Sequence, residues 1–442
     1  MVKLTNVISR LKRRKILLAG DLMLDTYTVG KVRRISPEAP VAVVQVASEE
    51  SRPGGAGNAA LNMISLGADV VLLGRIGQDP AGVTLREALE QEGIDVRGVF
   101  IQNEFKTPLK NRIIADNQQV VRVDYEQVTP LSEMLEQHII DSLPKLLEGV
   151  SAVAISDYGK GMLSRTLLAS LIEQAKALGL PIITDPKGVE FGKYSGSTII
   201  KPNLSEAYAA AGLHSDASLD LVAQRVLHLS EASMLMVTRS EAGISVFQRT
   251  GERFDFPVKI REIKDVTGAG DTVLAMLTYA IASDLSIHEA TQLCNVAAGI
   301  SVERFGCARV SLSDLARRLL EFDVDNKIFD GEHLFTLQQA LRNSSYSLLG
   351  LYAKQGMLLP TFSSIQKLSK QSDGNLVIYL LDLDPDQDFV QLLASMQDVK
   401  FIIIQSGNLN SLCEEVPPAN IYALNGKELV ELSSTSALLE FV

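Results

Sequence analysis

Cysteine, surplus positive charge and long apolar runs are all scarce in this 442-residue chain. Its three cysteines, Cys294, Cys307 and Cys413, lie far apart and without metal-ligand spacing. That excludes a disulfide framework and a cysteine-built zinc site, and it suits reduced thiols in a reducing compartment. With 53 acidic residues against 42 basic ones the formal net charge is −11, which argues against general affinity for nucleic acid or anionic membrane. The basic cluster Arg10–Lys15 reads as a solvated helix end. No stretch approaches the roughly 18 uninterrupted apolar residues of a membrane span. The apolar run Ile16–Gly20 is too short for a signal peptide and suits a first strand. A soluble, cytoplasmic protein with neither nucleic acid nor membrane as partner is expected. Repeats, low-complexity tracts and a P-loop are missing too, since no Gly-Lys-Ser/Thr follows either glycine cluster described below.

What remains is a globular profile, 46% hydrophobic and 21% charged, and too long for one ordinary core. Apolar runs at Lys15–Ala19, Val70–Leu73, Ala152–Ser156, Ile182–Thr184, Thr198–Lys201 and Met234–Thr238 predict strands. Helix-period segments fall between them, at Gly57–Leu66, Ala81–Glu92, Arg165–Leu178, Asn203–Ala211 and Leu219–Leu229. Apolar strands separated by helices predict a doubly wound α/β domain, a parallel sheet covered on both faces, over residues 1–320. Gly30–Glu50 and Thr107–Tyr125 break this rhythm with extended pairs. They predict a small β lid that closes over a ligand or pairs with a second subunit through its edges. The polar, turn-prone stretch 321–331 predicts a linker, and 332–442 a smaller α/β domain with strands at Leu376–Leu381 and Phe401–Ile404.

The most informative segment is Asp265-Val-Thr-Gly-Ala-Gly-Asp-Thr272, which follows an extended run (Arg253–Ile263) and opens an apolar helix over Thr272–Ala282. Its glycines allow a sharp turn that aims N–H groups outward at a helix N-terminus, a site suited to anions. Asp271 then stands within reach of whatever anion binds, an arrangement suited to phosphoryl transfer. An isolated Asp at a helix start also suits a simple cap. Company elsewhere favours chemistry. Pro53-Gly-Gly-Ala-Gly-Asn-Ala-Ala60 opens a second helix, and Asp21 and Asp25 follow the first strand, where ligands lie in open α/β sheets. Ser156–Gly161, Asp185–Gly188, Lys201–Glu206 and Val237–Gly243 bring polar residues to further strand ends.

The glycine motifs Pro53–Ala60 and Asp265–Thr272 resemble the two signatures of the ribokinase-like (PfkB) carbohydrate kinases. Arg34–Val41, Arg52–Asn58, Asn117–Asp124, Ser156–Gly161 and Pro202–Glu206 resemble the heptose-7-phosphate kinases of that family, which form half of a bifunctional protein of ADP-heptose synthesis. The resemblance spans residues 1 to about 315. It implies a ribokinase-like fold, ATP as co-substrate and Mg²⁺. Asp271 would be the base, with Gly268, Ala269 and Gly270 as the anion hole. Asn203, Leu204, Ser205, Glu206, Thr238, Ser240, Gly243 and Asn295 would border the nucleotide, Glu206 holding the metal through water. Asp25, Gly54, Gly55 and Asn58 would hold the sugar, and Arg112, Arg122 and Lys187 its phosphate. Some relatives use a monovalent cation, which here would lie near Asp265 and Thr267. A homodimer through the lid is the implied assembly. A PfkB-type kinase for another sugar and a non-catalytic binding protein are the alternatives.

The resemblance fails in the last quarter. The bifunctional protein carries a nucleotidyltransferase with a His-x-Gly-His motif on a loop that follows a strand and opens a helix. The corresponding stretch here is expected at Gly331–Thr336, and His333 is the last histidine of the chain. Residues 332–442 are therefore expected to be a degenerate, Rossmann-like nucleotidyltransferase without adenylyltransferase activity, or else an unrelated α/β appendage.

Overall fold

Runs that are apolar at every position settle only where both faces of a sheet are covered, and Ile16, Leu17, Leu18 and Ala19 are each fully buried. The computed structural model describes all residues except 1–6, 117, 259–262, 305, 321–326, 331–333, 343, 383, 405–408, 426–427 and 442. Asn117, His333 and most of the expected linker thus lie outside the described residues. The chain forms two compact units, one of Leu11–Ser311 and one running from Leu312 onward together with the N-terminal residues to Arg10.

In the larger unit the strands are β1 (Lys15–Gly20), β2 (Leu22–Ile35), β3 (Ala42–Gly55), β4 (Asp69–Gly77), β5 (Asp95–Gln102), β6 (Leu109–Ala115) and β7 (Gln118–Tyr125), followed by β8 (Ala152–Ser156), β9 (Ile182–Asp185), β10 (Ile199–Ile200), β11 (Met234–Thr238), β12 (Ile244–Gln248) and β13 (Arg253–Phe256). Nine of them form one sheet in the order β13-β12-β11-β10-β9-β8-β1-β4-β5. It is parallel from β11 to β5, and β12 and β13 add an antiparallel edge. The strand order reverses at β1, between β8 and β4, so the crevice for a ligand opens at the carboxyl ends of β1 and β8. Helix starts follow local chemistry. Ser164 caps the helix after β8, while Asn203–Glu206 and Ser286–Glu289 are complete capping boxes.

The lid is a four-stranded sheet of order β3-β2-β6-β7. It is longer than the segments predicted for it, because β2 begins at Leu22 and β3 continues to Gly55. Beyond Gly30 the β2–β3 hairpin is largely exposed, including Val32, Ile35, Val41 and Val46. The extended run expected over Arg253–Ile263 is a strand only to Phe256, and part of the remainder lies outside the described residues.

The second unit holds β14 (Ile328–Phe329), β15 (Ser347–Leu351), β16 (Leu376–Leu380), β17 (Phe401–Ile404), β18 (Asn420–Asn425) and β19 (Glu428–Leu432), in the order β14-β17-β16-β15-β18-β19. All pairings are parallel except β18 with β19. Counted from β15, the order third-second-first-fourth is Rossmann-like. Two expectations need correction. The units divide at Ser311, and helix Leu312–Leu320 belongs to the second one. Ile328 and Phe329, inside the expected linker, form an edge strand, because two apolar residues suffice to extend a sheet that already exists. The stretch expected to correspond to the histidine loop, Gly331–Thr336, follows β14 and leads into helix Leu334–Leu341, and its first three residues lie outside the described ones.

Candidate active site

Asp271 lies in the first turn of helix Ala269–Ala282, apolar almost throughout, which packs on β1, β8 and β9. Gly268 is the N-cap, at φ +80°, and makes no side-chain cap bond. A Cβ there would stand 2.9 Å from Asn58 Nδ2 and 3.3 Å from Cys307 Sγ, so only glycine serves. Asp271 is not the helix cap. Its carboxylate accepts hydrogen bonds from Asn58 Nδ2 at 2.7 Å and from the Tyr158 hydroxyl at 2.7 Å. Burial pushes its pKa up to about 6; Asn58 and Tyr158 oppose the rise, Asp185 adds to it and Lys201 opposes it. A 4% exposed carboxylate that titrates near neutrality, beside donors at a helix N-terminus, is suited to accept a proton.

Behind the turn, Lys201 Nζ pairs with Asp185 Oδ2 at 2.9 Å. Both atoms lie about 4 Å from the position a Gly270 side chain would take (3.9 and 4.0 Å). A nearly buried ammonium therefore stands beside the Gly268-Ala269-Gly270 turn, where an anion would lie. Burial raises the Asp185 pKa, and Lys201 works against that rise.

On the lid side, Asp25 is buried and its Oδ1 meets Arg112 Nη1 at 2.5 Å. Gly54 is glycine because a side chain there would occupy the place of Asp25 Oδ2. Gly55, at φ +56°, turns the chain from β3 into helix Ala56–Ser65, which carries Asn58. Strand register sets the rest of this face. Asp25 pairs with Arg52 and Lys110, Tyr27 with Glu50 and Arg112, and Arg112 with Arg122. Directly paired residues share a face. Arg52, Lys110, Arg112 and Arg122 thus lie on the sheet face that bears Asp25. Arg122 is also held by Asp124 of its own strand, at 2.8 and 2.9 Å.

Lys187 follows β9, and its ammonium pairs with Glu206 Oε1 at 2.7 Å. Glu206 also accepts the Asn203 N–H at 3.1 Å, and Asn203 Oδ1 accepts the Glu206 N–H at 2.9 Å and the Ser205 hydroxyl at 2.7 Å. Asn203 bridges to Thr238 at the end of β11, with Leu204, Ser240 and Gly243 on the turns that open from these strand ends. Asn295 lies close to this edge, because the Phe256 carbonyl it bonds stands against Gly243. Its amide donates to the Phe256 carbonyl at 2.8 Å and so ties helix Ile287–Val302 to the end of β13. Asp265 Oδ1 accepts from the Thr267 N–H and hydroxyl, and its Oδ2 from the Gly306 N–H. Tyr158, Asp185 and Lys201 fall within the strand-end stretches Ser156–Gly161, Asp185–Gly188 and Lys201–Glu206 but carried no individual expectation; their position after a strand was the available signal.

No cluster of three or more acidic, histidine or cysteine side chains that could hold a metal occurs among the described residues. Nor is any described helix long and apolar enough to cross a membrane.

The sequence pattern of the pfkB family carbohydrate kinases matches residues 13–315. The bifunctional protein HldE of Trichlorobacter lovleyi is 41% identical over 341 residues, covering 76% of this chain and 70% of that protein. HldE of Geobacter sulfurreducens is 35% identical over 442 residues, covering 94% and 90%. Among solved structures, phosphofructokinase-2 from Escherichia coli in complex with potassium aligns at TM-score 0.59 and 19% identity, over 70% of this chain and 99% of that one. Arabidopsis thaliana ribokinase complexed with ribose and ATP aligns at TM-score 0.55 and 18% identity, over 70% and 99%. Such low identities speak for the fold alone, which is ribokinase-like.

Proposed function

The chain belongs to the pfkB family of carbohydrate kinases, and from that premise we propose that it moves the γ-phosphoryl group of ATP to the anomeric hydroxyl of D-glycero-β-D-manno-heptose 7-phosphate. The products are the 1,7-bisphosphate and ADP, within ADP-heptose synthesis for the lipopolysaccharide core. The observation that carries the reading is Asp271, a buried carboxylate with a pKa near 6, set beside a glycine turn and a buried lysine. In this mechanism the acceptor lies between Asp25, Gly54, Asn58 and Asp271. Asp271 takes the hydroxyl proton as the oxygen attacks phosphorus. The N–H groups of Gly268, Ala269 and Gly270 and the ammonium of Lys201 stabilise charge on the transferring group. Asn203, Ser205, Thr238, Ser240 and Gly243 border the nucleotide.

Glu206 and Asp185 are hard oxygen donors at neighbouring strand ends, which suits Mg²⁺, an ion that takes few protein ligands and keeps several waters. The metal would arrive with the nucleotide, held by Glu206 through water, and would offset charge on the phosphates. A monovalent cation near Asp265 and Thr267 fits the polar turn there. The acceptor's own phosphate is supported by the cationic lid face, where Arg52 and Lys110 join Arg112 and Arg122. A two-stranded hairpin exposing Val32, Ile35, Val41 and Val46 is marginal alone in water, which supports a homodimer through the lid. The second unit is a degenerate nucleotidyltransferase, a reading supported by its strand order and by the lack of any histidine after His333. The protein works in the cytoplasm.

ADP release measured across a panel of sugars and sugar phosphates tests the substrate. Turnover confined to a non-heptose reassigns it. Transfer of AMP to heptose 1-phosphate would overturn the inactivity of the second unit.

A further inference from the structure

Both oxygens of the Asp271 carboxylate are held, but by elements of different rigidity. Asn58, on Oδ2, belongs to helix Ala56–Ser65. Tyr158, on Oδ1, belongs to the irregular segment after β8, whose Gly159 and Gly161 have φ of +68° and +93°. A loop of that kind must be fixed from outside if its side chain is to hold one geometry.

Two buried charged residues do the fixing. Asp21, 2% exposed, accepts the N–H groups of Tyr158 at 2.9 Å, Lys160 at 2.9 Å and Met162 at 3.2 Å. Arg75, 1% exposed, donates to the carbonyls of Lys160 at 2.8 Å, Pro130 at 3.1 Å and Thr129, and to Gln102 Oε1 at 2.8 Å. Its guanidinium lies 4.0 Å from the Phe105 ring centroid. Burying two charges to grip neutral backbone groups is expensive unless the geometry they impose is needed.

We propose that Tyr158 is a positioning residue for Asp271, its hydroxyl orienting the carboxylate so that free lone pairs face the acceptor, and that Asp21 and Arg75 clamp the loop that presents this hydroxyl. The inference rests on Asp271 being the base. Burial and the Asp271 charge keep Tyr158 a neutral donor throughout the working range. Asp271 also faces Asp185, Lys201 and, from the segment after helix Ile287–Val302, Cys307. Removing the Tyr158 oxygen leaves all three in place.

The test is the pH profile of kcat/KM for Tyr158→Phe in the full chain, with ATP and heptose 7-phosphate. A hydrogen bond to a charged group is worth roughly a factor of ten or more. The acid limb is therefore expected to move up by about one pH unit, with kcat down about tenfold and KM for ATP unchanged. Arg75→Lys is measured alone and together with Tyr158→Phe. A clamp acting through the hydroxyl lowers kcat in the first case and adds nothing in the second. An acid limb coincident with that of the wild type overturns the positioning role, and an equal Arg75→Lys loss in both backgrounds overturns the clamp. Asp271→Asn, run alongside, separates the two levels: full activity there removes the base itself, whereas an inactive Asp271→Asn with an unmoved Tyr158→Phe profile removes only the role of Tyr158.

Discussion

Asp271→Asn is expected to stabilise the unit that carries it while abolishing turnover. The folded-state pKa of Asp271 lies above its unfolded value, 3.8 against about 6, so the native state binds this proton more tightly. The stability so gained is present in full below about pH 3.8 and is lost as pH rises through about 6. At pH 8 the loss corresponds to about 2 pH units at 1.4 kcal/mol each, about 3 kcal/mol. No solvent discount applies, because the side chain is buried. An asparagine there can accept from Asn58 through its oxygen and meet the Tyr158 oxygen with its amide, so no buried polar group is orphaned. For a unit of about 300 residues, an unfolding entropy of roughly 2.1 cal/mol/K per residue makes 3 kcal/mol worth about 5 °C. Thermal unfolding followed from pH 4 to pH 8 should show the two proteins nearly coincident at pH 4. The variant should then draw ahead through pH 6. A variant less stable than the wild type at pH 8 would refute the claim that this carboxylate is held charged at a cost.

Other consequences are as direct. Wild-type kcat/KM should fall about tenfold per pH unit below about pH 6, because the base must be ionised to take a proton; a flat profile down to pH 5 contradicts this. Gly268→Ala forces a side chain into the left-handed region, at a cost of about 1–2 kcal/mol, and pushes Asn58 away from Asp271. Steady-state assays should show kcat reduced by about 10–100-fold. Arg112→Gln leaves the buried Asp25 carboxylate unpaired, a loss of about 3 kcal/mol in denaturant unfolding. It should also raise KM for a phosphorylated acceptor more than KM for ATP.

Local pattern made much of this fold legible. β1, β8 and β11 are apolar at every position but one terminal residue, and the two glycine turns announce themselves because few other residues tolerate their geometry. Pairings between distant segments were not legible. Tyr158 and Lys201 meet the site from the ends of β8 and β10, and only sheet order brings them beside Asp271. Arg52 and Lys110 join Arg112 through lid register, which alternation alone does not reveal. The partner of Lys187 was not legible for the same reason, since a strand-end lysine can turn to either side and this one pairs with Glu206. In the second unit, β15 was not recognised as a strand, because Ser347 and Gly350 interrupt its apolar run.

The central claim is that Asp271 deprotonates the acceptor hydroxyl at a turn that holds the transferring phosphoryl group. ADP release with saturating ATP and heptose 7-phosphate, comparing wild type with Asp271→Asn at pH 8, tests it most directly. The account predicts a loss of about 10³-fold in kcat with nucleotide affinity retained. Turnover within a few-fold of the wild type would contradict it.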